Sequence, residues 1–188
     1  MSKWIRMRLT AVALVVFAGC GLVYGQEFSL STNVLDYVNL GTLNLEASVG
    51  VAQHWSVNAG LKYNPFTFDG GEKDIRNRQR SCSAGARYWP WHVYSGWWLS
   101  GKLRYQEYNS GGFISPETSE GDRFGGGFSG GYTYMVNPHL NVDMGFGMWA
   151  GYDSYITYAC QTCGRVVGKG GKYFVLPADI VISLSYIF

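Results

Sequence analysis

Residues 43–63 read LNLEASVGVAQHWSVNAGLKY. Leu43, Leu45, Ala47, Val49 and Val51 alternate with Asn44, Glu46, Ser48 and Gly50. After Gln53-His54 the alternation resumes, with Trp55, Val57, Ala59, Leu61 and Tyr63 set against Ser56, Asn58, Gly60 and Lys62. A period of two is the signature of a strand with one oily face, and two such runs joined by a two-residue turn form a hairpin. The pattern recurs at Trp97 to Gln106 and at Leu140 to Met148.

Composition limits what such strands can build. Of 188 residues, 26 are Gly, 16% are aromatic and only 15% are charged. That apolar and ring content excludes a disordered chain. Past residue 25 no uninterrupted apolar run approaches the roughly 20 residues of a spanning helix.

Soluble sandwiches alternate too, so the polar set decides. Here it is dominated by Gly, Ser and Asn, which suits a crowded interior, and the apolar set is then expected to face lipid. Strands are expected near 28–36, 41–52, 55–67, 80–90, 95–108, 122–136, 139–152 and 172–188. These eight define an all-β fold, a single eight-stranded antiparallel transmembrane up-and-down β-barrel. Tight turns fall at Gln53-His54, around Pro90-Trp91-His92 and at Asn137-Pro138-His139. Longer connections are expected at 68–80, 109–121 and 153–171. Short turns on one side and long loops on the other match the periplasmic and extracellular ends of an outer-membrane barrel.

The last strand carries the sharpest motif. Ile180, Ile182, Leu184, Tyr186 and Phe188 place an apolar residue at every second position back from a terminal Phe. This is similar to the assembly signal read by the barrel-insertion machinery. Two aromatic girdles are also expected, Trp55, Trp89, Trp91, Trp97, Tyr134 and Tyr186 at the inner end, and Tyr63, Phe66, Tyr105, Tyr152 and Tyr173 at the outer.

Lys3, Arg6 and Arg8 followed by apolar Leu9 to Gly19 predict an export leader over 1–25, with the barrel domain over 26–188. Loss of that leader takes the net charge from +2 to −1, leaving no basic patch for nucleic acid. Phe17-Ala18-Gly19-Cys20 offers a competing lipobox, with lipid on Cys20.

Nearly the whole chain past the leader resembles a family of small outer-membrane barrels of Bacteroidota-type bacteria known only as a domain of unknown function. The matching stretches are Thr32-Asn33, Leu43-Asn44-Leu45-Glu46, Trp55-Ser56, Tyr63-Asn64-Pro65, Arg87-Tyr88-Trp89-Pro90, Tyr108-Asn109 with Gly111-Gly112, Tyr155 through Cys160 to Cys163-Gly164, and Ser183 to Tyr186. Leu176-Pro177-Ala178 departs from the family's Gly-Pro-Thr. The resemblance implies surface-fimbria proteins as a partner class and supplies no catalytic residue.

Candidate chemistry is sparse. Cys160 and Cys163 are expected to form a local disulfide in an oxidising compartment, with redox, half-zinc and Cys82-paired alternatives open. His54, His92 and His139 fall on successive inner turns, where a bridging metal is the alternative to ordinary polar turn residues. The outer half has no His to serve as general base, which argues against an outer-leaflet enzyme. Glu46, Asp143 and Asp179 are expected to face Lys62, Arg87, Lys102, Arg104 and Arg123 in the bore. An eight-stranded barrel is just wide enough for such side chains to fill it. The expected role is therefore structural or surface-interacting, resembling OmpA/OmpX-like barrels, in the outer membrane and with no cofactor. Its partners would be outer-membrane lipid and the insertion machinery. The alternatives are fimbrial anchoring, a small anion-preferring channel and, last, an outer-leaflet enzyme.

Overall fold

The computed structural model describes residues 28–68, 75–111, 117–160 and 164–188, with backbone alone at 68, 75–76 and 178–179. The expected leader lies outside the described residues. Nine strands and one short helix follow in chain order: β1 (Phe28–Asn33), α1 (Val34–Val38), β2 (Leu43–Ala52), β3 (Trp55–Asn64), β4 (Thr67–Phe68), β5 (Ile75–Tyr88), β6 (Gly96–Gly111), β7 (Thr118–Asn137), β8 (Leu140–Tyr158) and β9 (Val166–Ile187). All pairings are antiparallel and join successive strands, save that β3 pairs with β5 across the short β4. β9 also returns to β1, which closes a barrel of eight strands to which the two-residue β4 is an addition. No helix among the described residues is long and apolar enough to cross a membrane.

The alternation sorts as expected from the sequence. Leu45, Val57, Leu61, Leu103, Phe128, Phe146 and Ile182 are exposed on the outside of the cylinder, while Ser48, Ser56, Asn58, Ser100, Ser129, Asn141 and Ser185 are buried within it. Small polar residues suit the inner wall because a barrel this narrow leaves space for only a few large side chains.

Several boundaries differ from expectation. The first strand stops at Asn33 and gives way to α1. Asn33 caps the helix, its side chain accepting the Leu35 amide at 3.2 Å. A five-residue helix has too few turns to show a 3.6-residue period, so the alternation runs past it unseen. β3 stops before Pro65, which has no N–H to donate. The expected long loops at 68–80, 109–121 and 153–171 are mostly strand, because β5 starts at Ile75, β6 runs to Gly111, β7 starts at Thr118, β8 runs to Tyr158 and β9 starts at Val166. On β5, β6 and β7 the outward face here turns polar too. The outward row of Cys82, Tyr105 and Phe124 is followed two residues on by Arg80, Glu107 and Asp122, so the strands continue while their oil-and-polar alternation ends.

The wall has a seam between β1 and β9, whose backbone ladder ends at the Asn33–Ser183 pair. Two asparagine side chains extend it. Asn33 Nδ2 donates to the Ile180 carbonyl at 3.1 Å, and Asn33 Oδ1 accepts the Ile182 amide at 3.1 Å. The Asn44 amide brackets Asn33 in turn, accepting its N–H at 2.6 Å and donating to its carbonyl at 2.9 Å. Asn33→Ala removes both the stitch and the cap. The expected loss is about 1–2 kcal/mol, read as a lower urea midpoint, with faster amide exchange at Ile182 than at Ser185.

Candidate functional site

The interior is built in three layers, starting at the end with the tight turns. Trp89 (0% exposed), Tyr94, Trp98 and Ile187 form a buried cluster there, with Val93 and Val181 packed on it. The segment between β5 and β6 supplies most of it by folding back into the bore. Trp89 Nε1 donates to Ser56 Oγ at 3.0 Å, the Tyr94 hydroxyl to Ser48 Oγ at 3.2 Å, and Asn141 Nδ2 to the Tyr94 carbonyl at 2.7 Å. Trp98 lies on glycine. A Cβ at Gly131 or Gly145 would meet its ring at 2.6 and 2.7 Å, so those positions seat the indole by lacking a side chain. Trp89 is therefore a correction to the inner girdle: its parity on β5 is that of Arg87, which faces the bore, whereas Trp55, Trp91, Trp97, Tyr134 and Tyr186 remain exposed outside.

The middle layer is ionic. Arg87 reaches Glu46 at 3.4 Å and Asp143 at 3.5 Å, and its guanidinium lies over the rings of Trp98 (4.2 Å) and Trp89 (5.4 Å). Lys102 holds Glu46 at 2.6 Å, and Asn58 donates to the same carboxylate. Asp143 further accepts from the Thr133 and Ser185 hydroxyls. Seven residues from seven strands thus share one network, and each carboxylate is met by at least one cation and by hydrogen-bond donors, the arrangement that makes charge tolerable away from water. Arg104 lies over the Trp149 ring at 5.2 Å. Asp179 pairs through its backbone with Gly147, and its side chain is outside the described set.

Two acids that the alternation did not flag hold the remaining cations. Asp36 on α1 pairs with Lys62 at 2.8 Å. Asp153, fully buried, pairs with Arg123 at 3.1 Å and accepts from the Tyr108 hydroxyl at 2.9 Å. Asp36 hid in a helix read as strand, and Asp153 in a strand read as loop. Arg123 also lies over Tyr108 at 3.9 Å, and Trp149 meets Phe174 edge-on at 4.7 Å, so the outer layer is again aromatic and cationic. Burial and the bond to Asp153 push the Tyr108 hydroxyl up to about 12.

The other candidates sit apart from this core. Cys160 is disulfide-bonded, Cys163 lies outside the described residues, and Cys82 is free and exposed. The His54 and His92 rings stack at 6.5 Å, while His139 stacks on Tyr186 at 6.0 Å and bonds the Ile187 carbonyl. No group of three metal-capable side chains occurs among the described residues. Ile180, Ile182, Leu184, Tyr186 and Phe188 all point outward along the closing strand, with Phe188 against Phe28 at 5.6 Å.

A cleft of about 640 Å³ opens beyond the row at which the outward side chains become charged. Tyr63, Arg78, Arg80, Glu120, Asp122 and Lys169 are among the residues that line it. Next to it, the Tyr158 hydroxyl donates to Glu120 at 2.8 Å, and that bond holds its ionisation above the ordinary tyrosine range.

Residues 11–188 match the family model described as "Protein of unknown function (DUF3575)". The chain belongs to the DUF3575 family. No curated protein matches it. The family model covers every element of the DUF3575 barrel described here, from β1 to β9, and its description names no activity.

Proposed function

We propose that this chain is an outer-membrane β-barrel with a structural or surface-interaction role, delivered by a cleaved leader and inserted by the barrel-assembly machinery. The tight turns face the periplasm and the extended strands face the exterior. One observation carries this reading. On neighbouring strands β5, β6 and β7 the outward residues are apolar or aromatic up to Cys82, Tyr105 and Phe124, then charged at Arg80, Glu107 and Asp122. A water-facing cylinder has no reason to change its surface at one register row. A cylinder leaving hydrocarbon does.

The filled bore supports a role without conduction. Its inner end is occupied by Trp89, Tyr94, Trp98 and Ile187, and its middle by paired charges. A diffusion path needs a wet, continuous lumen. The exposed polar rows on β5 to β9 are left as the working surface, with outer-leaflet lipid and external macromolecules as the partners in reach.

The test is expression with the leader in a Gram-negative host. The chain is expected in the detergent-insoluble envelope fraction and is expected to migrate faster on a gel unheated than boiled. Recovery in the soluble periplasmic fraction, with one mobility, contradicts the proposal. In planar bilayers the purified chain is expected to give no steps above leak.

A further inference from the structure

We propose that the outward cleft beyond Tyr63 and Tyr105 binds a phosphorylated saccharide, and that in place this is the headgroup of a glycolipid in the leaflet around the barrel. The lipid source rests on the membrane reading above; the cleft's chemistry does not.

The cleft's cations and acids are not equivalent. Its three acids already have donors: Arg80 bonds Glu107 at 3.2 Å, the single Tyr105 hydroxyl proton is shared between Glu107 and Asp122 at 3.3 and 3.2 Å, and Asn109 and Tyr158 bond Glu120. Two cations do not. Arg78 and Lys169 line the cleft and make no hydrogen bond or ion pair with any described residue. Arg78 stands two residues from Arg80 on the same face of β5, so the strand presents guanidinium groups outward in series. Guanidinium and ammonium groups without carboxylate partners fit phosphate oxygens.

A phosphate alone leaves part of the cleft unmet. Asn109 lines it too, and its Oδ1 is buried without a hydrogen-bond donor while its Nδ2 is committed to Glu120. A buried acceptor without a donor carries the cost of its lost hydration, which a ligand hydroxyl can recover. The acids beside it also accept from hydroxyls. Arg78 beside the Asn109 acceptor, with Lys169 four strands from Arg78 along the same register row, matches a sugar phosphate better than inorganic phosphate, which lacks the ring hydroxyls, or a neutral sugar, which leaves the cations unmet. A volume of about 640 Å³ lies within the range of small-ligand sites. The cleft opens immediately past the tyrosines that follow the apolar rows, the level at which headgroups of the surrounding leaflet would stand.

The experiment has two arms on the detergent-purified full chain, with unchanged heat-dependent mobility required of every variant. In the first, glucosamine 6-phosphate, glucosamine and inorganic phosphate are titrated calorimetrically. The sugar phosphate is expected to bind at least tenfold more tightly than either half, and Arg78→Ala/Lys169→Ala is expected to weaken it at least tenfold. Equal binding of inorganic phosphate, or an unaffected double variant, overturns the site. In the second, native mass spectrometry counts a diphosphorylated glucosamine-disaccharide lipid against phosphatidylglycerol retained from mixed micelles. Preferential retention of the glycolipid, lost in the double variant, is expected. Equal retention of phosphatidylglycerol overturns the lipid assignment. Failure of the membrane reading would remove the second arm and spare the first, whereas failure of the site removes both.

Discussion

Trp98→Ala is expected to lower unfolding stability by about 3–5 kcal/mol, seen as a reduced urea midpoint by circular dichroism in detergent. The indole fills the bore against Gly131 and Gly145, stacks on Arg87, and is 2% exposed. Neighbouring glycines have no side chains with which to close the hole, so the cavity term is large. The adjacent Trp97 points outward, 62% exposed, with an edge contact to Tyr132 at 5.3 Å. Trp97→Ala is expected to cost no more than about 1 kcal/mol, the worth of such an aromatic pair. A larger loss at Trp97 than at Trp98 would mean that the inside and outside of β6 have been exchanged.

Arg87→Met is expected to cost a similar amount, about 3–5 kcal/mol, because it leaves carboxylates short of a cation in a site largely closed to water. Arg87 is the one residue that touches both Glu46 and Asp143 among the described ion pairs. Glu46 keeps Lys102 and Asn58, whereas Asp143 keeps only hydroxyl partners, Thr133 and Ser185. The orphaned charge is thus mainly at Asp143. Adding Asp143→Asn to Arg87→Met is expected to restore more than half of the loss, since a neutral amide needs no counter-charge. Urea midpoints of the two single variants and the double variant give the coupling directly. Additive losses would show that the network is not a unit.

Much of this was legible in the chain, and the reasons for success and failure are physical. The barrel follows from a period of two because each face of a strand meets one environment throughout. The charge partners Glu46, Arg87, Lys102 and Asp143 could be placed together because they share the inward parity of otherwise small residues. Asp36 and Asp153 were missed where that rule lapses, on a helix of five residues and in a strand end whose alternation is too weak to separate it from a loop. Trp89 was misassigned because a tryptophan at a strand end suits a membrane interface as well as a plug, and only the fold-back of 89–96 separates the two. The seam role of Asn33 and Asn44 has no periodic signature, since it depends on where β1 stops relative to β9.

In the membrane reading proposed above, hydrocarbon wets the outer face as far as the row of Tyr105 and Phe124. The most direct measurement is power-saturation electron paramagnetic resonance of spin labels at Leu103, Phe128 and Asp122 in lipid vesicles. All three side chains point outward, Phe128 at 83% exposure and Leu103 at 61%. Labels at Leu103 and Phe128 are expected to collide with dissolved oxygen and be shielded from an aqueous nickel chelate, with the order reversed at Asp122. Nickel access at Leu103 and Phe128 equal to that at Asp122 would mean that water, not hydrocarbon, covers the outer face.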